Sequence, residues 1–312
     1  MTNRVGAPGA DADIGTVIER TLAGLRREWR PVLIWCAMMA GLGVLSSILL
    51  LPLMARQAAV MAGASGGFQP GVLAGLGAIG VLTSLLCVAI VVAAMRSVLQ
   101  PYQSRPAWLR FGGTELRVLA VMLLLGFGIY LALVVTIILL AGLIGAANAT
   151  LGGVTLAAAV VMGGALIVAA PFCALYCWVR LSLAVPLTVQ RGRIAIRDAW
   201  RLGRGRFWFL LLGYVLLGLM AMVALMPAIA VQIGDMGTMM PAAGDPAAVQ
   251  RAMATRLAQL MHPAPATLIV NLLLGGLGNG VAMALQGGMA AELLLAIQAD
   301  GARPASLPAD PV

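Results

Sequence analysis

Six stretches of this chain, residues 31–54, 71–95, 118–145, 154–179, 207–231 and 266–297, are long, apolar and, apart from Glu292 in the last, free of charged side chains. A helix rises 1.5 Å per residue, so about twenty apolar residues cross a hydrocarbon core of about 30 Å. Each stretch meets that length, and inside a bilayer only helices and closed barrels satisfy every backbone N–H and C=O. The fold class that follows is all-α: a polytopic integral membrane protein with six transmembrane helices. Residues 1–30 form an N-terminal segment, 31–299 the transmembrane domain, and 300–312 a short tail expected to be disordered. The sixth stretch exceeds the need and is expected to tilt or to run past the membrane surface. Composition agrees, with 62% hydrophobic and 10% charged residues among 312, against roughly half and a quarter in soluble domains.

The net charge of +9 rests on twenty basic residues, all of them arginine. In a soluble protein such an excess suggests nucleic acid; in a membrane protein it reports orientation. Seventeen arginines lie before the first stretch, between the second and third, between the fourth and fifth, and after the sixth. The other connections hold only Arg56, Arg251 and Arg256. Positive residues stay on the cytoplasmic side, which predicts cytoplasmic N- and C-termini. The charged residues ahead of the first stretch, and its length, are unlike a cleavable signal peptide.

The arginine-rich connections share a design. Ile14, Val17, Ile18, Leu22, Leu25 and Trp29 recur at helical spacing, with Glu19, Arg20, Arg26 and Arg27 on the remainder. This pattern predicts an amphipathic helix lying in the interface before the chain enters the membrane. Residues 101–117, with Trp108, Arg110 and Phe111, and residues 191–206 repeat the theme. The expected architecture is therefore three transmembrane hairpins, each preceded by a cytoplasmic interfacial helix.

The third connection carries the candidate site. On a single helix, Arg193, Arg197, Arg201 and Arg204 share a stripe of about 80°. Gly203 and Gly205 end that helix, Arg206 follows, and Trp200 and Trp208 mark headgroup depth. The simplest expectation is an elbow whose arginines meet lipid phosphates and the anionic leaflet. A sharper one is a specific site for a phospholipid headgroup or phosphorylated ligand, because guanidinium forks match phosphate oxygens. The segment GRGRF lacks the Lys-Ser or Lys-Thr ending of a phosphate-binding P-loop. A nucleic-acid reader needs its basic surface clear of the bilayer, so no nucleic-acid partner is expected.

The segment WVRLSLAVPLTVQRGRIAIRDAWRLGRGRFWFLLLGY, residues 178–214, resembles the signature of a bacterial inner-membrane family that includes the membrane region of glycerophosphoryl diester phosphodiesterases. The matching positions are Arg180, Ser182, Leu183, Pro186, Trp200, Leu202, Gly205, Arg206, Phe207 and Trp208. Gln190 stands where an acid is usual and Ala199 where Ser is usual. The resemblance implies a six-helix membrane module. The enzymes of that family carry a soluble catalytic barrel of about 200 residues or more, which is not expected here because the chain ends soon after the sixth stretch.

Within the spans, chemistry-bearing groups are few. Glu292 lies about 40 Å along the sixth helix, which places it at the cytoplasmic interface rather than in the core. No paired carboxylates, acid–base pair or metal cluster is evident, so no enzymatic activity, metal or cofactor is expected. Cys36, Cys87, Cys173 and Cys177 all fall in apolar runs, where cysteine packs as a small hydrophobe and no disulfide is expected. Asn271, Asn279 and Gln286, spaced by eight and seven, lie near one stripe of the sixth helix among glycines. That pattern reads either as close helix packing tied by amide hydrogen bonds or as a polar seam lining a lipid or solute path. Gly276 with Gly280, and Gly71 with Gly75, form small-xxx-small pairs. In the connection 232–265, Asp245 and Pro246 open a predicted helix, and Met236, Met239, Met240, Met253, Met261 and His262 read as hydrophobes before they read as Cu(I) ligands. The function that follows is a non-enzymatic inner-membrane protein. Its partners are membrane phospholipids, with a homo-oligomer or a membrane-protein partner as further classes. The alternative is a transporter or lipid-translocating protein using the polar seam.

Overall fold

The computed structural model describes residues 13–61, 70–101, 108–109, 112–149, 153–237 and 265–301. Among these the chain is all-helical, without a strand. The helices are α1 (Ile14–Arg27), α2 (Trp29–Met61), α3 (Pro70–Leu99), α4 (Gly113–Ala149), α5 (Gly153–Leu181), α6 (Ala184–Arg191), α7 (Ile196–Leu202), α8 (Phe207–Gly237) and α9 (Pro265–Gly301). Six of them, α2, α3, α4, α5, α8 and α9, are long and apolar enough to cross a membrane. Their outward faces carry large apolar side chains in the open: Val161 is 71% exposed and Phe172 67%. Water would not tolerate such faces, whereas lipid tails do. The chain is a multi-pass membrane protein.

Local chemistry sets the boundaries. Thr16 donates its hydroxyl to the Asp13 carbonyl (2.7 Å) at the start of α1, and the backbone bonds Glu28 N to Gly24 O and Val32 N to Glu28 O carry the chain through a one-residue turn into α2. In α1, Val17 and Thr21 are buried and Glu19, Arg20, Arg26 and Arg27 are exposed. Before α4 the structure departs from the sequence expectation. Residues 113–117 are the first turns of α4 itself, where the Glu115 carboxylate accepts the Gly112 N–H (3.0 Å). A carboxylate serves well there, beside the unbonded N–H groups of a helix start. Residues 102–107, Arg110 and Phe111 lie outside the described residues, as does nearly all of the Met-rich connection.

The fourth apolar stretch does not run straight into a surface elbow. α5 stops at Leu181, Ser182 donates its hydroxyl to Val179 O (2.6 Å), and α6 begins at Ala184. Pro186 falls in the first turn of α6, where its missing N–H costs nothing. All six residues from Ala184 to Val189 are buried. Gly192 then ends α6 with φ +64° and donates its N–H to Thr188 O (2.9 Å). That left-handed conformation is one a side chain resists and glycine accepts.

The helices divide between two compact units. In the first, residues 111–215 with the chain ends, α4 packs on α5 and α6, and α7 packs on α5 and α6. In the second, residues 18–110 and 216–289, Trp35, Cys36 and Val32 of α2 meet Ile90, Ala93 and Ala94 of α3, Ala284 of α9, and Trp108. Trp108, expected in an interfacial helix ahead of the third stretch, is 7% exposed within this core and adopts φ +60°. α9 approaches α2 through glycine. A methyl group built on Gly276 or Gly280 would lie 2.6 Å from the Cα of Ala40 or Cys36. One on Gly287 would lie 2.5 Å from Val91 O of α3.

Candidate functional site

The site lies in the first unit, where α5 ends, α6 and α7 follow, and α8 begins. Its centre is a residue that the arginine stripe did not include. Arg180, in the last turn of α5, is 8% exposed. Its Nη1 donates to the Tyr176 hydroxyl (2.9 Å), one turn back, and its Nη2 donates to the Trp200 carbonyl (3.1 Å) on α7. The guanidinium carbon sits 4.0 Å from the centre of the Trp200 ring and 5.5 Å from that of Tyr176. Cation–π attraction of this kind contributes about 1–2 kcal/mol when desolvated. Tyr176 also meets the Trp200 ring edge-on at 6.5 Å and Phe207 at 5.2 Å. The cluster thus fastens α5, α7 and the first residue of α8 to one another.

Gly203 lets α7 approach so closely. A Cβ there would lie 3.2 Å from Arg180 O. Thr188 pins the other end of the connection, donating to Ala184 O (2.6 Å) and accepting the Ala195 N–H (3.4 Å). Arg117 of α4 donates to Gly192 O (2.6 Å), capping the turn between α6 and α7.

The sequence-predicted site residues separate into paired and unpaired groups. Arg204 lies past the end of α7 at Leu202, and Arg193 is not on that helix either, because Gly192 has ended α6 and α7 begins only at Ile196. Arg193 pairs with Asp198 (3.2 Å), as does Arg191. Arg206 reaches the end of α9, donating to Ile297 O (2.5 Å) and to Asp300 (2.6 Å). Gln190 and Gln298 exchange two amide hydrogen bonds beside it (3.2 and 2.9 Å). Exposed pairs of this kind contribute at most about 1 kcal/mol each, but they hold α6, α8 and α9 at one end of the unit. Arg197, Arg201 and Arg204 are exposed and have no carboxylate partner among the described residues. Arg197 and Arg201, four apart, share one face of α7. Trp200 is a cover over Arg180, 38% exposed, whereas Trp208 is 77% exposed.

Asn279 donates back to Gly275 O of its own helix (2.8 Å), Gln286 is exposed, and the Asn271 side chain lies outside the described residues. The close packing of α9 uses a different stripe. Gly276, Gly280 and Gly287 fall within about 40° of one another and about 60° or more from Asn279 and Gln286. Gly71 of the second small-residue pair faces open space. Cys173 and Cys177 lie on the exposed surface of α5 rather than in packing, and Cys36 is buried against α9 with its thiol 3.6 Å from Leu277 O. Glu292 is half-buried.

Sequence patterning does not set Arg180 apart, because the fourth apolar run ends one residue before it and leaves it among the loop arginines. One signal was present: Tyr176 and Arg180 are four apart on a helix, the spacing at which a ring and a guanidinium meet. Comparison with known proteins adds no relative: no family model matches the chain, and no curated protein or solved structure matches it.

Proposed function

We propose that this chain is a non-enzymatic protein of a bacterial inner membrane that engages anionic phospholipid at the end of the bundle formed by α6, α7 and the start of α8. Support of envelope or phospholipid homeostasis is the role that suits such an engagement, and the resemblance of residues 178–214 to a lipid-related membrane module favours it. One observation carries the reading. The acidic groups near the site are already taken, Asp198 by Arg191 and Arg193 and Asp300 by Arg206. Arg197, Arg201 and Arg204 are exposed without a carboxylate partner among the described residues, and Trp208, four residues after Arg204 in the chain, is exposed too. Arginine beside tryptophan is what a headgroup layer recruits, and each such residue contributes about 1 kcal/mol toward an anionic leaflet.

Orientation is part of the same proposal. Gln190 with Gln298, Arg206 with Asp300, and Ile14 near Gly213 collect the first turn of α1, the α6–α7 connection and the end of α9 at one end of the first unit. This agrees with both termini on the arginine-rich, cytoplasmic side. The test is native mass spectrometry of the protein released from nanodiscs holding equal zwitterionic and anionic phospholipid. Changing Arg197, Arg201 and Arg204 together to Gln should reduce the anionic enrichment about tenfold or more. Equal enrichment in both proteins would overturn the reading.

A further inference from the structure

The charges at this end of the first unit leave one buried cation without a counter-ion among the described residues. Asp198 is shared by Arg191 and Arg193, and Asp300 pairs with Arg206. Arg180 has only neutral acceptors, the Tyr176 hydroxyl and the Trp200 carbonyl, and its Nε is shielded from solvent with no hydrogen-bond partner. The Trp200 ring attracts the guanidinium but carries no net charge, so the full positive charge persists in a residue only 8% exposed. A buried charge is ordinarily paired, and an orphaned N–H on it is costly. The two rings that flank it reach the surface, Trp200 at 38% and Tyr176 at 43% exposure. The Tyr176 hydroxyl, having accepted from Arg180, still holds its own proton to donate.

We infer that the mouth framed by Tyr176, Arg180 and Trp200 is a seat for a single phosphate group, whose oxygens accept from the spare guanidinium N–H groups and from the Tyr176 hydroxyl. Guanidinium pairs with phosphate through parallel N–H bonds, and a tetrahedral anion keeps further oxygens for the hydroxyl. A phospholipid headgroup and free phosphate share this chemistry. The headgroup is favoured if the end of the bundle carrying α7 meets lipid, so in that respect the inference rests on the proposed function. The seat differs from the surface arginines in kind. It holds one anion per chain, and because it is recessed it resists the salt that screens exposed contacts.

The experiment uses the full chain, purified in mild detergent and washed in molar salt, with bound phospholipid counted by native mass spectrometry. Wild type should retain one phospholipid per chain. Arg180→Lys keeps the charge but loses the fork, and should lower occupancy about tenfold or more, while Tyr176→Phe should lower it less. The triple variant of Arg197, Arg201 and Arg204 to Gln should keep the salt-resistant lipid. If Arg180→Lys does not fold, Tyr176→Phe decides: undiminished occupancy there overturns the seat. A second arm adds inorganic phosphate to delipidated protein. Thermal stabilisation of wild type and not of Arg180→Lys, with no lipid retained, assigns the seat to free phosphate. Equal lipid retention by wild type and Arg180→Lys, with no differential response to phosphate, overturns the inference. Loss of lipid selectivity in the triple variant alone would then leave the surface reading standing, and loss in Arg180→Lys alone would leave only the seat.

Discussion

Trp200 stands over Arg180, and the two are coupled through one ring and one backbone carbonyl. Trp200→Leu preserves the carbonyl but removes the ring, so it should cost about 1–2 kcal/mol of stability, the worth of a desolvated cation–π contact. Trp208 serves as the control. At 77% exposure its replacement by Leu should leave stability within about 0.5 kcal/mol. Chemical denaturation in mixed micelles, followed by circular dichroism, separates the two. A Trp200→Leu variant as stable as wild type would show that the ring does not hold the cluster together. The contrast also marks where sequence patterning stops. Both tryptophans read as interface residues, because Trp flanking an apolar run is an interface signal whatever lies behind it. What distinguishes Trp200 is a guanidinium brought over it from twenty residues earlier, and that requires the break at Ser182 and the close approach at Gly203.

At the scale of helices, the crossing of α9 on α2 rests on bare backbone. Gly280→Ala would place its methyl 2.6 Å from the Cα of Cys36, a distance that backbone can relieve only by moving apart. Overpacking of this kind costs about 1–3 kcal/mol. Gly275→Ala, one residue from the crossing stripe and with nothing within 4 Å, should be neutral or stabilising through helix propensity. Thermal unfolding in detergent tests the pair, and equal melting temperatures for the two variants would refute close packing at Gly280. The Gly276 and Gly280 pair was legible in the sequence, since four-residue spacing of small residues is a packing pattern in itself. Its partner surface was not, because Cys36 and Ala40 are unremarkable in composition and belong to a helix some 240 residues away in the chain. The six spans were legible for the same local reason, each declared by its own length and apolarity. α6 was not, for its eight residues continue the apolar character of α5 and only Ser182 and Pro186 hint at a break. The expected helical stripe from Arg193 to Arg204 is cut at both ends: Gly192, with its positive φ, ends α6 before Arg193, and α7 runs only from Ile196 to Leu202, short of Arg204.

Over the whole molecule, the bilayer must cover what the protein leaves bare, and this makes its placement testable through native side chains. Cys173 and Cys177 lie exposed on α5, inside the candidate span Val161–Arg191. If lipid covers that face, a membrane-impermeant maleimide should leave both thiols unmodified in intact vesicles, whereas a lipid-soluble maleimide should label them. Labelling by the impermeant reagent would place α5 along water rather than lipid. Orientation can be read by the same chemistry in a background with all four cysteines changed to Ala or Ser. A cysteine replacing Gly301, just beyond Asp300, should be labelled from the arginine-rich side only, because Asp300 is tied to Arg206. A cysteine replacing Arg56, in one of the arginine-poor connections, should be labelled only from the opposite side. Seventeen arginines against three make the inverted arrangement costly, since each would have to be carried across against the insertion bias. Labelling of both positions from one side would break the six-span topology, and exchange of the two sides would break the cytoplasmic assignment while leaving the span count intact.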